Sequence, residues 1–284
     1  RSAAELGRLL ADHPEAVMVA GATDVGLWMT KQLRQIPTLI YIGNVAELQQ
    51  LDHLEEDSVL EIGAGVNYSD ALDGLVSLYS ELAPMLHRLG AIQVRNAGTI
   101  GGNIANGSPI GDMPPALIAL DAKLVLRSLQ GRREIDLEQF FIEYGKQDLR
   151  PGEFVEKIRL PLPVPGQQFR TYKLSKRWDQ DISAVCAAFS LVLEDGRVKA
   201  IRLCYGGMAG TPARAIGAEN TLLGERWDAD RIDRARTAMA GDYQALTDWR
   251  GSREYRLLSA QNLLQRFFLE TTGHQHVSLE EVRG

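Results

Sequence analysis

A glycine-rich stretch directly before an apolar run is the feature that most constrains this chain. The stretch "RNAGTIGGNIANGSPIGDMPPALIAL", residues 95–120, carries little charge and has glycines at Gly98, Gly101, Gly102 and Gly107. Glycine loses more backbone entropy on folding than any other residue, so a cluster of glycines weakens a fold unless it serves a purpose. The purpose we expect is a close approach of main-chain amides to another group.

A second glycine-bearing loop, "VAGATDVG" at residues 19–26, overlaps the end of the apolar run "AVMVAG". Neither loop has the G-x-G-x-x-G spacing of a dinucleotide-binding Rossmann unit or the G-x-x-x-x-G-K-[ST] spacing of a P-loop. Successive small residues can still present their N–H groups as a nest for a pyrophosphate. From the residues alone, a nucleotide site and ordinary turns both stay open.

Charge and apolar patterning exclude several classes of function. The 284 residues include 31 Lys and Arg against 37 Asp and Glu, a net charge of −6, with no run of like charge. We therefore expect no nucleic acid and no membrane as a partner. The apolar stretches are shorter than the roughly 18 to 20 residues that span a bilayer. No signal peptide is visible, and because the chain opens at Arg1 we expect a processed product or a piece of a longer polypeptide.

The residues that could hold a metal are few. Cys186 and Cys204 lie in apolar, strand-like runs, and we expect reduced core thiols in a cytoplasmic protein. An iron–sulfur cluster needs four protein ligands, so any such cluster must belong to a partner chain or domain. The pair His274 and His276 has no further ligand beside it, so we expect a solvated tail and no metal site.

The periodicity predicts an α+β chain of three units. Residues 1–57 have the pattern of a small α/β lobe with the buried strands "AVMVAG" and "TLIYIG". Residues 58–165 alternate strands with helices and form the second lobe. Residues 166–284 follow the proline-rich "PLPVPGQQ" and begin with a meander, whose tight turn is predicted at Asp195-Gly196, before three helices.

Four stretches carry a resemblance to a known family: "VAGATDV", "VRNAGTIGGNIANGSPIGDMPPALIALDA", "LSKRWDQDISAV" and "DWRGSREYR". They are similar to the FAD-binding portion of the molybdenum hydroxylases, and "KRWDQDISAV" resembles the xanthine dehydrogenases in particular. The resemblance covers essentially the whole chain. It implies the FAD-binding fold of p-cresol methylhydroxylase and vanillyl-alcohol oxidase, with two α/β lobes followed by a C-terminal sheet-plus-helices domain.

The same resemblance implies an FAD site and its residues. One wall of the pyrophosphate site would be formed by Ala20, Gly21, Ala22, Thr23, Asp24 and Val25. The other wall would be formed by Thr99, Gly102 and Asn103. Ribitol, ribose or ring atoms would be held by Asn106, Ser108 and Asp112. Leu89 stands where the family often has an aromatic residue against the adenine, and Lys173 stands where a lysine reaches the polar edge of the flavin.

Catalytic residues are also implied by the resemblance. Asp179, Gln180 and Asp181 would belong to the loop beside the isoalloxazine, and Tyr144 would lie near the approach of the nicotinamide. For Trp178, shielding of the flavin ring and ordinary packing both stay open. Neither glycine-bearing loop contains a His or a Cys, so we expect FAD to be bound non-covalently.

The implied function is the flavin component of a xanthine dehydrogenase. In such an enzyme a molybdenum–pterin large subunit hydroxylates a purine, and electrons pass through 2Fe–2S clusters of a partner chain or domain to FAD and then to NAD. The assembly would be a hetero-oligomer such as (αβ)2. The alternative within the family is the medium FAD subunit of a hydroxylase acting on carbon monoxide, an aldehyde or an N-heterocycle, with a quinone or another acceptor. A flavin-free assembly scaffold is the alternative from another class.

Overall fold

The computed structural model of this protein describes residues 2–178 and 180–274. Helix α1 (Ala3–Asp12) opens the first unit and is capped by Ser2, whose Oγ accepts a hydrogen bond from the N–H of Glu5 at 3.2 Å. Strands β1 (Val17–Val19) and β2 (Leu39–Tyr41) pair in parallel, and α2 (Val25–Thr30) connects them. The strands and the connecting helix are those that the apolar runs predict.

The parallel pair is less buried than the sequence predicted. Leu39 and Tyr41 of β2 are 44% and 60% exposed, whereas Ile40 is buried among Leu6 and Leu10 of α1. A sheet of only two strands has one face on this small core and leaves the other face to solvent. The run "TLIYIG" therefore predicted a strand correctly and its full burial wrongly.

The second unit is built on a five-stranded antiparallel sheet with the spatial order β3-β4-β9-β5-β6. Its strands and a small hairpin are β3 (Leu51–Leu54), β4 (Val59–Gly63), β5 (Lys123–Ser128), β6 (Gly131–Asp136), β7 (Phe141–Glu143), β8 (Lys146–Gln147) and β9 (Phe154–Pro161). Its helices are α3 (Tyr68–Leu78), α4 (Ala83–His87), α5 (Ile92–Ala97), α6 (Ile100–Ala105), α7 (Met113–Ala119) and α8 (Leu137–Phe140). Short 3₁₀ turns lie at Ala46–Gln49 and Ser80–Leu82.

The two faces of this sheet differ as alternation requires. Leu60 and Ile62 of β4 and Ile158 of β9 belong to the buried core that the helices cover. The residues between them point the other way, and Glu61 lies opposite Arg159, whose Nε is 3.1 Å from the Glu61 Oε1. The period of two in "VLEIG" and "EKIRL" therefore sets which face receives the helices.

The third unit is a four-stranded antiparallel meander covered by helices. It consists of β10 (Gln167–Leu174), β11 (Val185–Glu194), β12 (Arg197–Gly206), β13 (Ala213–Arg214), α9 (Ile216–Leu222), α10 (Ala229–Ala238) and α11 (Arg253–Thr271). The predicted tight turn between β11 and β12 is confirmed, since Asp195 and Gly196 both have positive φ, at 50° and 73°. A further 3₁₀ turn lies at Met239–Gly241. The α+β architecture that the sequence predicted is thus confirmed.

The meander is buried on both faces, which explains the unbroken apolar run "VCAAFSLVL". Val185, Ala187 and Phe189 belong to the core shared with α11. Cys186 and Ala188, which alternate with them, belong to the core of the second unit around α7. The third unit therefore packs its sheet directly against the helix that follows the glycine-rich stretch.

The domain boundaries at residues 57 and 165 stay a prediction. The five-stranded sheet takes its edge strand β3 from Leu51–Leu54, before the first boundary, and the meander begins at Gln167, just after the second. Within residues 2–178 and 180–274, no helix has both the length and the apolar character needed to cross a bilayer.

Replacing Phe189 tests the packing of β11 against α11. Phe189 is fully buried, with its ring centroid 5.1 Å from that of Tyr205 and 5.3 Å from that of Phe267. We expect Phe189→Ala to lower the free energy of unfolding by about 3–5 kcal/mol, because it leaves a cavity. The measurement is urea denaturation followed by intrinsic fluorescence. The control is Leu223→Ala, at a side chain that is 55% exposed, which should change the free energy of unfolding by less than about 0.5 kcal/mol. Equal effects of the two variants would contradict the packing.

Candidate functional site

A cleft of about 510 Å³ lies between the β1–β2 pair and the helical segment 89–106. Its walls come from stretches that are distant in the sequence, chiefly 17–28, 64–68, 89–106 and 145–155. Ligand sites are concave regions of roughly 300–1,000 Å³, so the cleft has the size of a small-molecule site. It combines main-chain amides, a few polar side chains and apolar walls.

The loop after β1 presents unpaired main-chain donors to this cleft. The N–H groups of the four residues from Gly21 to Asp24 have no acceptor in the described part of the chain. Ala22 has a left-handed backbone, with φ 57°, which alanine seldom adopts. Successive N–H groups in such a turn form a concavity for an anion, and strained backbone of this kind concentrates at functional sites. The loop is therefore suited to hold a pyrophosphate.

Glycine is required where the two loops meet. A Cβ at Gly21 would overlap the main-chain carbonyl of Ala97, and a Cβ at Gly98 would lie 3.2 Å from the Thr23 Oγ1. The glycines at these two positions therefore bring one loop against the other, and both also line the cleft. That glycines let main-chain amides reach a cofactor here stays a prediction.

The stretch 96–112 was predicted as a loop and contains a short helix, α6. Thr99 caps this helix, and its Oγ1 accepts a hydrogen bond from the N–H of Gly102 at 3.0 Å. Gly101 lies with its Cα against Ala64, where a Cβ would overlap the Ala64 backbone, whereas a Cβ at Gly102 would meet only the Thr99 Oγ1, at 2.8 Å. A threonine cap and a close helix contact thus stabilise a helix in a sequence whose propensity for helix is low. Both glycines line the cleft, but Gly101 is buried against Ala64 whereas Gly102 is exposed, so a side chain at Gly102 would enter the cleft.

Asn103 and Asn106 lie on the cleft side of α6. The Asn103 Oδ1 is buried and has no donor in the described residues. A buried carbonyl oxygen without a partner costs about 1–3 kcal/mol, so its pairing with a ligand is favoured. Asn106 is exposed at the rim.

Three of the predicted cofactor residues lie outside the lining of the cleft. Lys173 and Asp112 are both buried, and the Lys173 Nζ is 2.6 Å from the Asp112 Oδ2 and 2.8 Å from the Ser183 Oγ. Ser183 in turn donates to the Asp112 Oδ1 at 2.5 Å. Each charge of the pair is therefore compensated within the chain. Ser108 closes a local turn, in which its Oγ accepts from the N–H of Ile110 at 3.3 Å.

The predicted catalytic residues do not line the cleft either. Tyr144 is 75% exposed at the tip of the β7–β8 hairpin, and its neighbours Gly145 and Gln147 contribute to the lining in its place. Gln180 is exposed, and its carbonyl accepts from the Arg177 Nη2 at 2.8 Å. Asp179 lies outside the described residues. These assignments stay predictions.

The loop that carries Gln180 is attached to the second unit by Arg88, which precedes Leu89 of the cleft lining. The guanidinium of Arg88 donates to the Lys173 carbonyl at 2.9 Å and to the Trp178 carbonyl at 2.7 Å, and it lies 5.0 Å from the Trp178 ring centroid. For Trp178 this contact favours packing on Arg88. Asp181 accepts from the N–H of Arg177 at 2.9 Å, and this backbone hydrogen bond lowers the pKa of the Asp181 carboxyl.

Sequence reasoning missed two aromatic residues of the cleft. Trp28 lines the cleft, and its Nε1 donates a hydrogen bond to the Asp24 Oδ2 at 3.1 Å. The available signal in the sequence was the spacing of four positions between Asp24 and Trp28, which places them on the same helix face. Tyr68 lines it with a side chain that is 4% exposed, and its Oη has no partner in the described residues. Burial, reinforced by the charge of Asp112, raises the pKa of Tyr68, so its hydroxyl keeps its proton at neutral pH.

Two family models match this chain. Residues 1–163 match the FAD binding domain in molybdopterin dehydrogenase, and residues 170–271 match the carbon monoxide dehydrogenase flavoprotein C-terminal domain. The chain therefore belongs to the FAD-binding flavoproteins of the molybdenum hydroxylase family, as its sequence motifs predicted. It is the oxidoreductase flavoprotein component of that family.

Curated relatives from this family differ in length and in the substrate they are named for. Xanthine dehydrogenase of Emericella nidulans is 32% identical over 76% of this chain, and the chain spans only 17% of that protein. The xanthine dehydrogenase FAD-binding subunit of Escherichia coli O157:H7 is 29% identical over 92% of this chain and 90% of the relative. The glyceraldehyde dehydrogenase medium chain of Sulfolobus acidocaldarius is 30% identical over 81% of this chain and 82% of the relative.

A solved structure confirms the predicted fold class. Carbon monoxide dehydrogenase of Hydrogenophaga pseudoflava contains a chain that superposes with a TM-score of 0.87 at 30% identity, over 93% of this chain and 92% of that one. The likeness extends through both FAD-binding lobes and the C-terminal domain.

The residues of the cleft fit FAD. The free N–H groups of Gly21 to Asp24 are donors for a pyrophosphate, and the Asn103 Oδ1 and Tyr68 Oη are buried polar atoms in need of a partner. Leu89, which is 8% exposed, forms part of an apolar wall. Of the predicted cofactor residues, the lining includes Ala20, Gly21, Ala22, Thr23, Asp24, Val25, Leu89, Thr99, Gly102, Asn103 and Asn106.

Valine at Gly102 tests the orientation of α6. We expect Gly102→Val to leave the apoprotein folded and to abolish FAD retention, because the side chain would occupy the cleft. Gly101→Val is the matched variant and should destabilise the fold itself, since its Cβ would overlap the Ala64 backbone. Circular dichroism and the flavin absorbance of the purified proteins separate the two results. Full flavin occupancy in Gly102→Val would refute this orientation.

Asn103→Ala tests the unpaired oxygen in the cleft. Deleting a partner of a buried polar group costs about 1–3 kcal/mol, so FAD affinity should fall roughly 5- to 150-fold. Stability of the apoprotein should be unaffected, because the Asn103 Oδ1 has no partner within the described chain. Titration of apoprotein with FAD gives the affinity, and Asn220→Ala on the exposed side of α9 is the control. An unchanged affinity would remove Asn103 from the site.

Proposed function

We propose that this chain is the FAD-binding component of a xanthine dehydrogenase that passes electrons from 2Fe–2S clusters to NAD. The observation that carries the proposal is the lining of the cleft. It includes the residues from Gly21 to Asp24, whose main-chain N–H groups have no acceptor in the described chain, and two residues with a buried polar atom that has no partner there, Asn103 and Tyr68. The near full-length similarity to a xanthine dehydrogenase FAD-binding subunit supports the choice of enzyme. The "KRWDQDISAV" motif at residues 176–185 supports it too.

Each wall of the cleft has a separate task in this proposal. The N–H groups of Gly21 to Asp24 hold the pyrophosphate, Asn103 and Asn106 bind hydroxyl or ring atoms, and Leu89 excludes water from an apolar face. When bound, FAD supplies hydride and electron transfer, and the protein supplies position and electrostatics. The lining residues of the described chain include no His and no Cys, which supports non-covalent binding.

The metal centres belong to partners in this proposal. The chain has two cysteines, both buried on neighbouring strands of the meander, and a 2Fe–2S cluster needs four ligands. The described residues contain no group of three or more His, Cys, Asp or Glu placed to hold a metal ion. A molybdenum–pterin large subunit and a 2Fe–2S subunit or domain complete the enzyme, as a cytoplasmic hetero-oligomer such as (αβ)2.

NAD is the proposed electron acceptor. Tyr144 and Gln180 are solvent-exposed, and Tyr144 directly precedes Gly145 of the cleft lining, which supports access by a diffusible nicotinamide cofactor. Positioning of the nicotinamide by these residues, together with Asp179, would favour a near-attack geometry. Lys173 and Asp112 lie outside the lining of the cleft, and their buried ion pair fixes the start of α7 to the meander.

A second candidate function has its own support. The likeness to carbon monoxide dehydrogenase and to the glyceraldehyde dehydrogenase medium chain is as close as that to the xanthine dehydrogenase subunit. A medium FAD subunit of such a hydroxylase, or of one acting on an N-heterocycle, would deliver electrons to a quinone or another carrier instead of NAD.

Anaerobic reduction by NADH distinguishes the candidates. We expect NADH to bleach the visible flavin absorbance of the FAD-loaded chain and to support reduction of an artificial dye, while xanthine gives no reaction because its site lies on a partner. Reduction by dithionite is the control for loading. Failure with NADH in both the isolated chain and the intact assembly would favour the quinone-linked candidate. A colourless protein that takes up no FAD would favour a scaffold.

A further inference from the structure

The cleft contains one buried hydroxyl that neither the sequence motifs nor the family assignments use. Tyr68 begins α3, directly after Asn67, whose side chain caps that helix by accepting from the N–H of Asp70 at 2.8 Å. The Tyr68 side chain is 4% exposed and lines the cleft, and its Oη is buried without a partner in the described residues. A hydroxyl in this position costs free energy unless something binds it.

The surrounding residues do not satisfy this hydroxyl. Asp112 is the nearest charge that acts on it, but the Asp112 carboxylate already accepts from the Lys173 Nζ at 2.6 Å and from the Ser183 Oγ at 2.5 Å. The main chain around Tyr68 is paired elsewhere, since its N–H donates to the Gly98 carbonyl at 3.2 Å. The hydroxyl is therefore left to whatever fills the cleft.

We propose that Tyr68 is an FAD-binding residue whose hydroxyl donates a hydrogen bond to the cofactor in the cleft. This inference rests on FAD being the occupant of the cleft, and it adds a residue to the site. Donation is the favoured direction, because burial, reinforced by the Asp112 carboxylate, raises the pKa of Tyr68 and so keeps its proton available for an acceptor on the cofactor. Tyr68 thus determines how tightly the cofactor is held.

Another tyrosine of the same unit provides a matched control. Tyr79, at the other end of α3, is also 4% exposed, but its hydroxyl donates to the Pro161 carbonyl at 2.9 Å, and Tyr79 does not line the cleft. Tyr→Phe removes one oxygen at either position and keeps the ring. The two variants therefore distinguish the Tyr68 hydroxyl, which has no partner in the described chain, from the Tyr79 hydroxyl, whose hydrogen bond stabilises the fold.

The experiment compares Tyr68→Phe and Tyr79→Phe in two measurements on the same full chain. FAD affinity is obtained by titrating apoprotein and following the quenching of flavin fluorescence, and apoprotein stability is obtained from urea denaturation. For Tyr68→Phe we expect FAD affinity to fall roughly 3- to 10-fold, with an unfolding midpoint equal to or above that of the wild type. For Tyr79→Phe we expect a lower unfolding midpoint and unchanged FAD affinity.

The results that overturn the proposal are distinct from a failure of FAD binding itself. Equal FAD affinities of wild type and Tyr68→Phe would show that the hydroxyl makes no contact with the cofactor. A lower stability of the Tyr68→Phe apoprotein, with affinity unchanged, would assign the hydroxyl to the fold. Wild-type protein that binds no FAD would instead remove the occupant on which the inference depends.

Discussion

The contact between the two glycine-bearing loops determines how the rest of the site is built. Gly21 lies against the carbonyl of Ala97, at a distance that no side chain permits, and Gly98 lies beside Thr23. Ala97 and Gly98 occupy one side of the first loop, and the residues of that loop whose N–H groups have no acceptor in the described chain line the cleft. The left-handed backbone of Ala22 lies in the same loop. Close packing between main chains thus produces the unpaired donors that a pyrophosphate needs.

Behind the cleft, a buried ion pair joins the FAD-binding lobes to the C-terminal unit. Lys173 ends β10 of the meander, and Asp112 immediately precedes α7 of the second lobe. Removing one partner of a buried ion pair leaves an uncompensated charge. This loss destabilises a protein by more than the intact pair stabilises it. The pair, with Ser183 as its third member, therefore fixes the register between the two units. The same apolar junction buries Cys186, and this burial raises the pKa of its thiol.

The sequence predicted the fold well where a pattern has a single structural meaning. The Asp195-Gly196 turn and the apolar, strand-like run around Cys186 each led to the observed element. Burial of "TLIYIG" was predicted wrongly because periodicity cannot show how many strands a sheet has. The helix α6 was missed because low propensity at Gly101 and Gly102 hid a threonine cap and a tight contact with Ala64.

For the site, the family resemblance named residues of both glycine-bearing loops, and both loops contribute to the lining of the cleft. Their contact with FAD stays a prediction. Lys173 and Asp112 are bound to each other, a pairing between residues 61 positions apart that no local pattern reveals. Tyr68 escaped notice because an aromatic residue at the start of a helix ordinarily signifies core packing. Only three-dimensional contacts show that its ring is buried while its hydroxyl is unpaired.

The division of the chain into an FAD-binding part and a C-terminal part has a chemical consequence. In the proposed site, main-chain donors of the first lobe bind the pyrophosphate, which every FAD molecule shares, whereas Ser175 and Trp178 follow the last strand residue of β10 and contact Arg88 of the second lobe. Arg88 attaches the loop that carries Gln180 through the carbonyls of Lys173 and Trp178, so the loop can change in sequence without loss of its attachment. In the proposed function, cofactor binding and access to the cofactor are thereby placed on different units of the chain.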